Sequence, residues 1–198
     1  MNQIQRGNLT HPKEGSLWPQ QIQHRPTPFK PPLASPQNRA RTKVKDTMSE
    51  EVQEFIQQAP FVVMATSNAQ GQCDASPKGG NPGFVKVLDD KHLLLPDVAG
   101  NRLFQSYENI DGNAQVGLVF MIPGSDHTVR VNGSAQVVDK EELEQQQMAL
   151  AVQWTDDNSK NLQGLLITVE EAYGHCPRAF KFANLWDTET IEHNRANL

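Results

Sequence analysis

Two short stretches of this sequence carry residue types that can hold an anion. The first is LLPDVAGNRLFQSYENI, Leu94 to Ile110, which opens as an apolar strand pattern and ends as a helical one. Between the two lie Pro96, Asp97, Gly100, Asn101 and Arg102. A strand, a glycine-bearing turn and a helix start leave unpaired backbone N–H groups aimed at one point, where the helix dipole favours negative charge. Gly100 allows close approach to the backbone, and Arg102 can supply a two-pronged, charge-assisted contact to phosphate. A second reading has Asp97 and Asn101 capping the helix while Arg102 is solvated, and one glycine turn does not separate the two. The second stretch, DASPKGGNPG from Asp74 to Gly83, puts Lys78 at a strand end before a flexible loop. A lysine there is either simply exposed or, beside an anion-binding helix end, a second contact to a phosphate or a ring.

The elements that must position these groups follow from pattern. Thr47-Met48-Ser49-Glu50 is a capping-box candidate opening a short helix with Val52, Phe55 and Ile56 on one face, stopped by Pro60. PFVVMATS reads as a buried strand, NAQG as a turn and QCDASP as a second strand. GFVKVL and HLLLP are strands around Asp89-Asp90-Lys91, and a helix is expected from Gly100 to Ile110. AQVGLVFMI and HTVRVNGSAQVV form a long hairpin through Pro123-Gly124-Ser125-Asp126. DKEELEQQQMALAV is expected as a helix with Asp139 as N-cap, and LQGLLITVEEAYGH as a last long strand. There is no internal repeat. Strands outnumber helices and are closely linked, which argues for a mainly β fold: a small barrel or a strongly curled antiparallel sheet with peripheral helices.

A chain of 198 residues can bury a real core. No apolar run approaches the roughly 18 residues that span a bilayer, the N-terminal stretch has no apolar signal region, and the two cysteines suggest no disulfide framework. A cytoplasmic protein without membrane association is the plain expectation. The net charge of −5 hides an asymmetry: residues 1–45 carry eight Lys or Arg and one acid, a balance of +7 against −12 for the remainder. Seven of the 13 prolines also fall there, so 1–45 reads as an extended basic arm preceding a domain of 46–198. It is either a floppy tail or a segment that Trp18 and Phe29 dock onto an acidic body, its own or a partner's. Nucleic-acid binding is not expected, because the basic residues are scattered.

Four blocks, DASPKGGNPGFVKVLDD, LLPDVAGNRLFQSYENI, VGLVFMIPGSDHTVRVNGSAQV and AYGHCPRAFKFANLWD, resemble in order one branch of the pyridoxamine 5′-phosphate oxidase-like proteins, which are FMN-binding split barrels. The resemblance covers roughly Phe55 to Asp187 and leaves the arm unexplained. It implies a six-stranded antiparallel split barrel, roughly Pro60 to His175, assembled as a homodimer with FMN in the cleft between protomers. In the family the strand matching Asp74–Lys78 ends in a basic residue on FMN, a place that Lys78 fills here, with Ser76 and Gly79 as further cofactor-binding candidates beside it. Asn101 and Arg102 match the positions that hold the phosphate. Pro96 and Asp97 match the strand end beside the flavin or its ribityl chain, and Thr128 the position that offers a polar group to the ring. The second wall, from residues near the chain's end, draws on His175, Arg178, Lys181 and Trp186. His175 and Cys176 also read as a plain strand end, since they lack zinc-ligand spacing, and Trp186 also reads as a packing aromatic.

The chain departs from the vitamin-type oxidases in its end, FANLWDTETIEHNRANL, which is net acidic where those enzymes carry a basic stretch that grips the phosphorylated substrate. No paired carboxylates, Ser/His/Asp set or cysteine with a base partner stands out, which fits chemistry carried by a flavin. The expected function is an FMN-dependent oxidoreductase acting on a small molecule with a nicotinamide or other reductant. The alternative is a non-catalytic flavin-binding protein for sensing or storage, and a third reading is a related barrel holding a deazaflavin or haem.

Overall fold

The computed structural model describes residues 44–98, 105–139, 141 and 161–198. The basic arm up to residue 43, Gly100, Asn101, Arg102 and the helix expected after Asp139 fall outside these, and Asp139 itself is the last residue of a strand.

Helix α1, Glu50–Gln58, buries Val52 and Ile56, one turn apart on its inner face. Its N-cap is Ser49, in extended backbone and without a side-chain cap bond, so the capping box expected from Thr47 does not form. The helix ends at Ala59, whose ψ of 122° is the extended conformation that a following proline enforces. Seven strands follow: β1 Phe61–Ser67, β2 Cys73–Gly79, β3 Lys86–Val87, β4 His92–Val98, β5 Gln115–Met121, β6 Thr128–Asp139 and β7 Asn161–His175. Helix α2, Gln105–Gly112, lies between β4 and β5, and two C-terminal helices, α3 Arg178–Phe182 and α4 Thr188–Asn197, close the chain.

All pairings are antiparallel, in the order β2-β1-β5-β6-β7-β4-β3. The β6–β7 hairpin is the spine, paired along the full length of β6. β5 takes the first half of β6, from Thr128 to Ser134, and β4 takes the first half of β7, from Asn161 to Thr168. The sheet therefore divides into a β2-β1-β5 wing and a β4-β3 wing. A register shift at Asn132/Gly133 bends the spine between them. A Cβ on Gly133 would collide with the Thr168 carbonyl of β7, so the close approach at the bend requires glycine.

The expectation of a six-stranded barrel is corrected here. Seven strands form a linear order whose edges, β2 and β3, do not pair with each other among the described residues. The short β3 is held by two residues of β4. The sheet nevertheless curls around one core, since Val62, Met64, Leu93, Leu95, Phe120 and Ile167 from four strands share a buried cluster with Ile56 of α1. Leu94, Val138 and Leu166 form a small second cluster. No helix among the described residues is long and apolar enough to cross a membrane.

Candidate functional site

On β2 the side chains alternate, with Asp74, Ser76 and Lys78 half-buried and their neighbours exposed. Their partners on β1 are Thr66, Met64 and Val62, all buried, so the three polar groups line the rim of the core face. Gly79 has the opposite parity, and a Cβ there would make only ordinary contacts. The structure thus brings Ser76 and Lys78 to one face and leaves Gly79 off it.

Pro96 and Asp97 lie in the other wing, opposite Gly164 and Gln163 of β7. Proline is tolerated because β3 pairs only with Leu93 and Leu94, leaving the other edge of Pro96 without a described partner. Four strands separate β4 from β2, yet the chain that leaves β4 returns to β2. The Ser106 hydroxyl, at the start of α2, donates to Asp74 Oδ2 at 2.7 Å. Asn109 Nδ2 donates to Thr66 Oγ1 at 2.9 Å, with both residues buried, and Asn113 Nδ2 to Ser67 Oγ at 2.9 Å. These three bonds seat α2 along β1 and β2. Helix α2, the element that follows β4 in the chain, is therefore seated against the edge that carries Ser76 and Lys78.

Thr128 is buried at the start of β6, opposite Met121 and His175. It has the parity of Gly79, Phe61 and Met121 across the wing, opposite to that of Lys78. Three strand spacings, roughly 14 Å, separate that end of β2 from β6. Thr128 borders two cavities. The larger, about 630 Å³, lies between α1 and the ends of β6 and β7 and takes in Lys45, Phe55, His127, Tyr173 and His175. The smaller, about 140 Å³, is closed by Arg130 on one side and by Ala179 and Phe180 of α3 on the other.

The remaining candidates gather at this end. Lys181 is exposed on α3. Trp186 donates its indole N–H to the Ser125 carbonyl at 2.8 Å and meets Phe180 edge-on with ring centroids 6.1 Å apart, a packing arrangement that ties the chain's end to the β5–β6 turn. Arg178 lies over the Phe182 ring at 5.0 Å. His175 and Cys176 are both exposed where β7 ends.

Two features were missed in the sequence. One is the Ser106–Asp74 bond, which alternation on β2 hints at by giving Asp74 the parity of Lys78. The other is α4, capped by Asp187, whose Oδ2 accepts from the Thr190 N–H and hydroxyl, each at 2.8 Å. Those two bonds, the backbone one first, hold the Asp187 carboxyl below the ordinary aspartate range. The Asp-Thr-Glu-Thr sequence was a legible N-cap signal.

Residues 48–176, well over half of the chain, match the family model described as pyridoxamine 5′-phosphate oxidase. A search of curated proteins gives no match. Among solved structures, the chain is similar to a putative pyridoxamine 5′-phosphate oxidase from Lactobacillus delbrueckii subsp., with 24% identity over 66% of this chain and 98% of that one and a TM-score of 0.49. It is also similar to HupZ of Group A Streptococcus, with 18% identity, 64% and 93% coverage and a TM-score of 0.46. An FMN-binding protein from Syntrophomonas wolfei subsp. wolfei gives 9% identity, 64% and 87% coverage and a TM-score of 0.47. At these identities and scores the structural likenesses carry no argument beyond the family match.

Proposed function

This chain belongs to the pyridoxamine 5′-phosphate oxidase family, and from that premise we propose that it is an FMN-dependent oxidoreductase acting on a small molecule. The observation that carries the reading is the Ser106–Asp74 bond, which seats the start of α2 against the β2 face bearing Ser76 and Lys78. A hydroxyl and an ammonium on one face beside the start of α2 suit a phosphate, and Asn101 and Arg102, shortly before α2 in the sequence, are proposed as its further donors. When bound, the flavin supplies hydride acceptance and donation. The protein's own part is to hold the phosphate, to wall the ring with half-buried apolar groups, and to offer it hydrogen bonds.

The same geometry argues for a two-fold dimer. Lys78 and Thr128 have opposite parity on the sheet, so one flavin touching both draws them from two protomers. The face bearing Thr128 also presents Phe61, Val63, Val119 and Met121, all only half-buried, and α4 buries none of its residues. Both are surfaces that a second copy would cover.

The visible spectrum of the purified protein tests the reading. Flavin bands that bleach on addition of a nicotinamide cofactor are expected. Bands that persist would favour a binding role, and a spectrum without flavin bands after incubation with FMN would overturn the proposal.

A further inference from the structure

Arg130 of β6 is a half-buried cation whose side chain bonds, among the described residues, only to a neutral group. Its Nη1 donates to the Tyr173 hydroxyl at 3.2 Å, across the β6–β7 pairing. No ion pair among the described residues involves it. Glu171, two residues before Tyr173 and on the same face of β7, accepts instead from Asn132 Nδ2 at 2.9 Å. The Nε and Nη2 donors form the edge that takes a carboxylate in two parallel bonds, and neither bonds to a described residue. Arg130 borders the smaller cavity, about 140 Å³, whose other walls include Val119 of β5 and Ala179 and Phe180 of α3. No described carboxylate borders it. The Phe180 wall is held in place by Trp186, which meets it edge-on and is itself bonded to the Ser125 carbonyl. Thr128 and His175 border both cavities, so the two adjoin there.

We propose that the smaller cavity binds the carboxylate of a small apolar or aromatic acid, held by the Nε–Nη2 edge of Arg130 while Tyr173 fixes the guanidinium. One cation and no described acid suit a monoanion, where a phosphate dianion would call for a further cation. A half-buried charge without a counter-ion carries a desolvation cost that a bound carboxylate offsets. A space of about 150 Å³ accepts a benzene ring, so the cavity takes a ring or a short apolar chain against Val119 and Phe180. The adjoining larger cavity leaves room for a longer one. As a substrate site it rests on the oxidoreductase reading and names the substrate class; as a carboxylate site it stands on its own geometry.

The test is calorimetric titration of benzoate into the full-length protein after incubation with FMN, with benzamide, its uncharged counterpart, and inorganic phosphate as comparison probes. Benzoate should bind the wild type more tightly than either. Arg130→Gln should weaken benzoate roughly tenfold or more, the loss expected for a charge-assisted contact, and leave benzamide as it was. Ala179→Leu fills the cavity from a helix that buries none of its residues. It should weaken benzoate without changing the melting temperature, which separates lost binding from lost fold. The visible absorbance of the flavin should be unchanged in both variants. Arg130-dependent benzoate binding in a protein that takes up no flavin would leave this site standing and the oxidoreductase reading overturned. Four outcomes would each overturn the proposal: no benzoate binding to the wild type, an unchanged affinity in Arg130→Gln, phosphate bound as tightly as benzoate, or benzoate that displaces the flavin.

Discussion

At the residue scale, a few polar contacts seat α2 on β1 and β2. Asn109 and Thr66 are both buried and bonded to each other, so Thr66→Val leaves the Asn109 amide without its partner. That change should cost about 1–3 kcal/mol, read as a lower midpoint in urea with an unchanged slope. The Ser106–Asp74 bond joins a buried hydroxyl to a half-buried carboxylate, and Ser106→Ala should cost about 1.5 kcal/mol, the low end for a hydrogen bond to a charged group. If the segment from 96 to 106 holds the cofactor, the same variant should also weaken FMN binding. An unchanged affinity would show that α2 is seated without that bond. Lys78 was legible as a candidate because a cation at a strand end before a glycine loop stands out. Asp74 was not, because its role depends on Ser106, 32 residues further along the chain.

At the element scale, bending and capping carry the testable consequences. Gly133→Ala places a methyl group against the Thr168 carbonyl at the bend of the spine. Backbone must move there, and a loss of about 1–3 kcal/mol is expected, checked by thermal melting; an unchanged melting temperature would mean that the bend relaxes freely. For α4 the sign follows from the lowered Asp187 carboxyl. Its stabilising bonds are present above the ordinary aspartate value of 3.8 and are lost as pH falls through the lower folded value. Helical circular dichroism should therefore decline below about pH 4, and Asp187→Asn, which caps without titrating, should remove that part of the decline. An identical decline in the variant would assign it to other groups. All seven strands were legible from the sequence, because alternation and closely spaced turns mark them. The helices α3 and α4 were missed because neither buries a residue and no apolar period announces them, which left the Asp187 cap as the local signal for α4.

At the scale of the whole molecule, strand order was beyond the sequence. Nothing local shows that β6 and β7 form a spine shared by two wings, and the six strands implied by resemblance fall one short of the seven observed. The opposite parity of Lys78 and Thr128 makes the assembly part of the argument. Sedimentation of the flavin-loaded protein should show a dimer, and a stable monomer with bound flavin would remove the shared-cleft reading. The central claim is that the segment entering α2 holds the phosphate of FMN, and titration of FMN and riboflavin into the wild type and Arg102→Ala tests it most directly. A lost charge-assisted contact of about 1.5–3 kcal/mol should weaken FMN binding by roughly ten- to a hundredfold, and riboflavin, which has no phosphate, far less. Equal losses for the two ligands would contradict the claim and leave Arg102 a supporting residue of the fold.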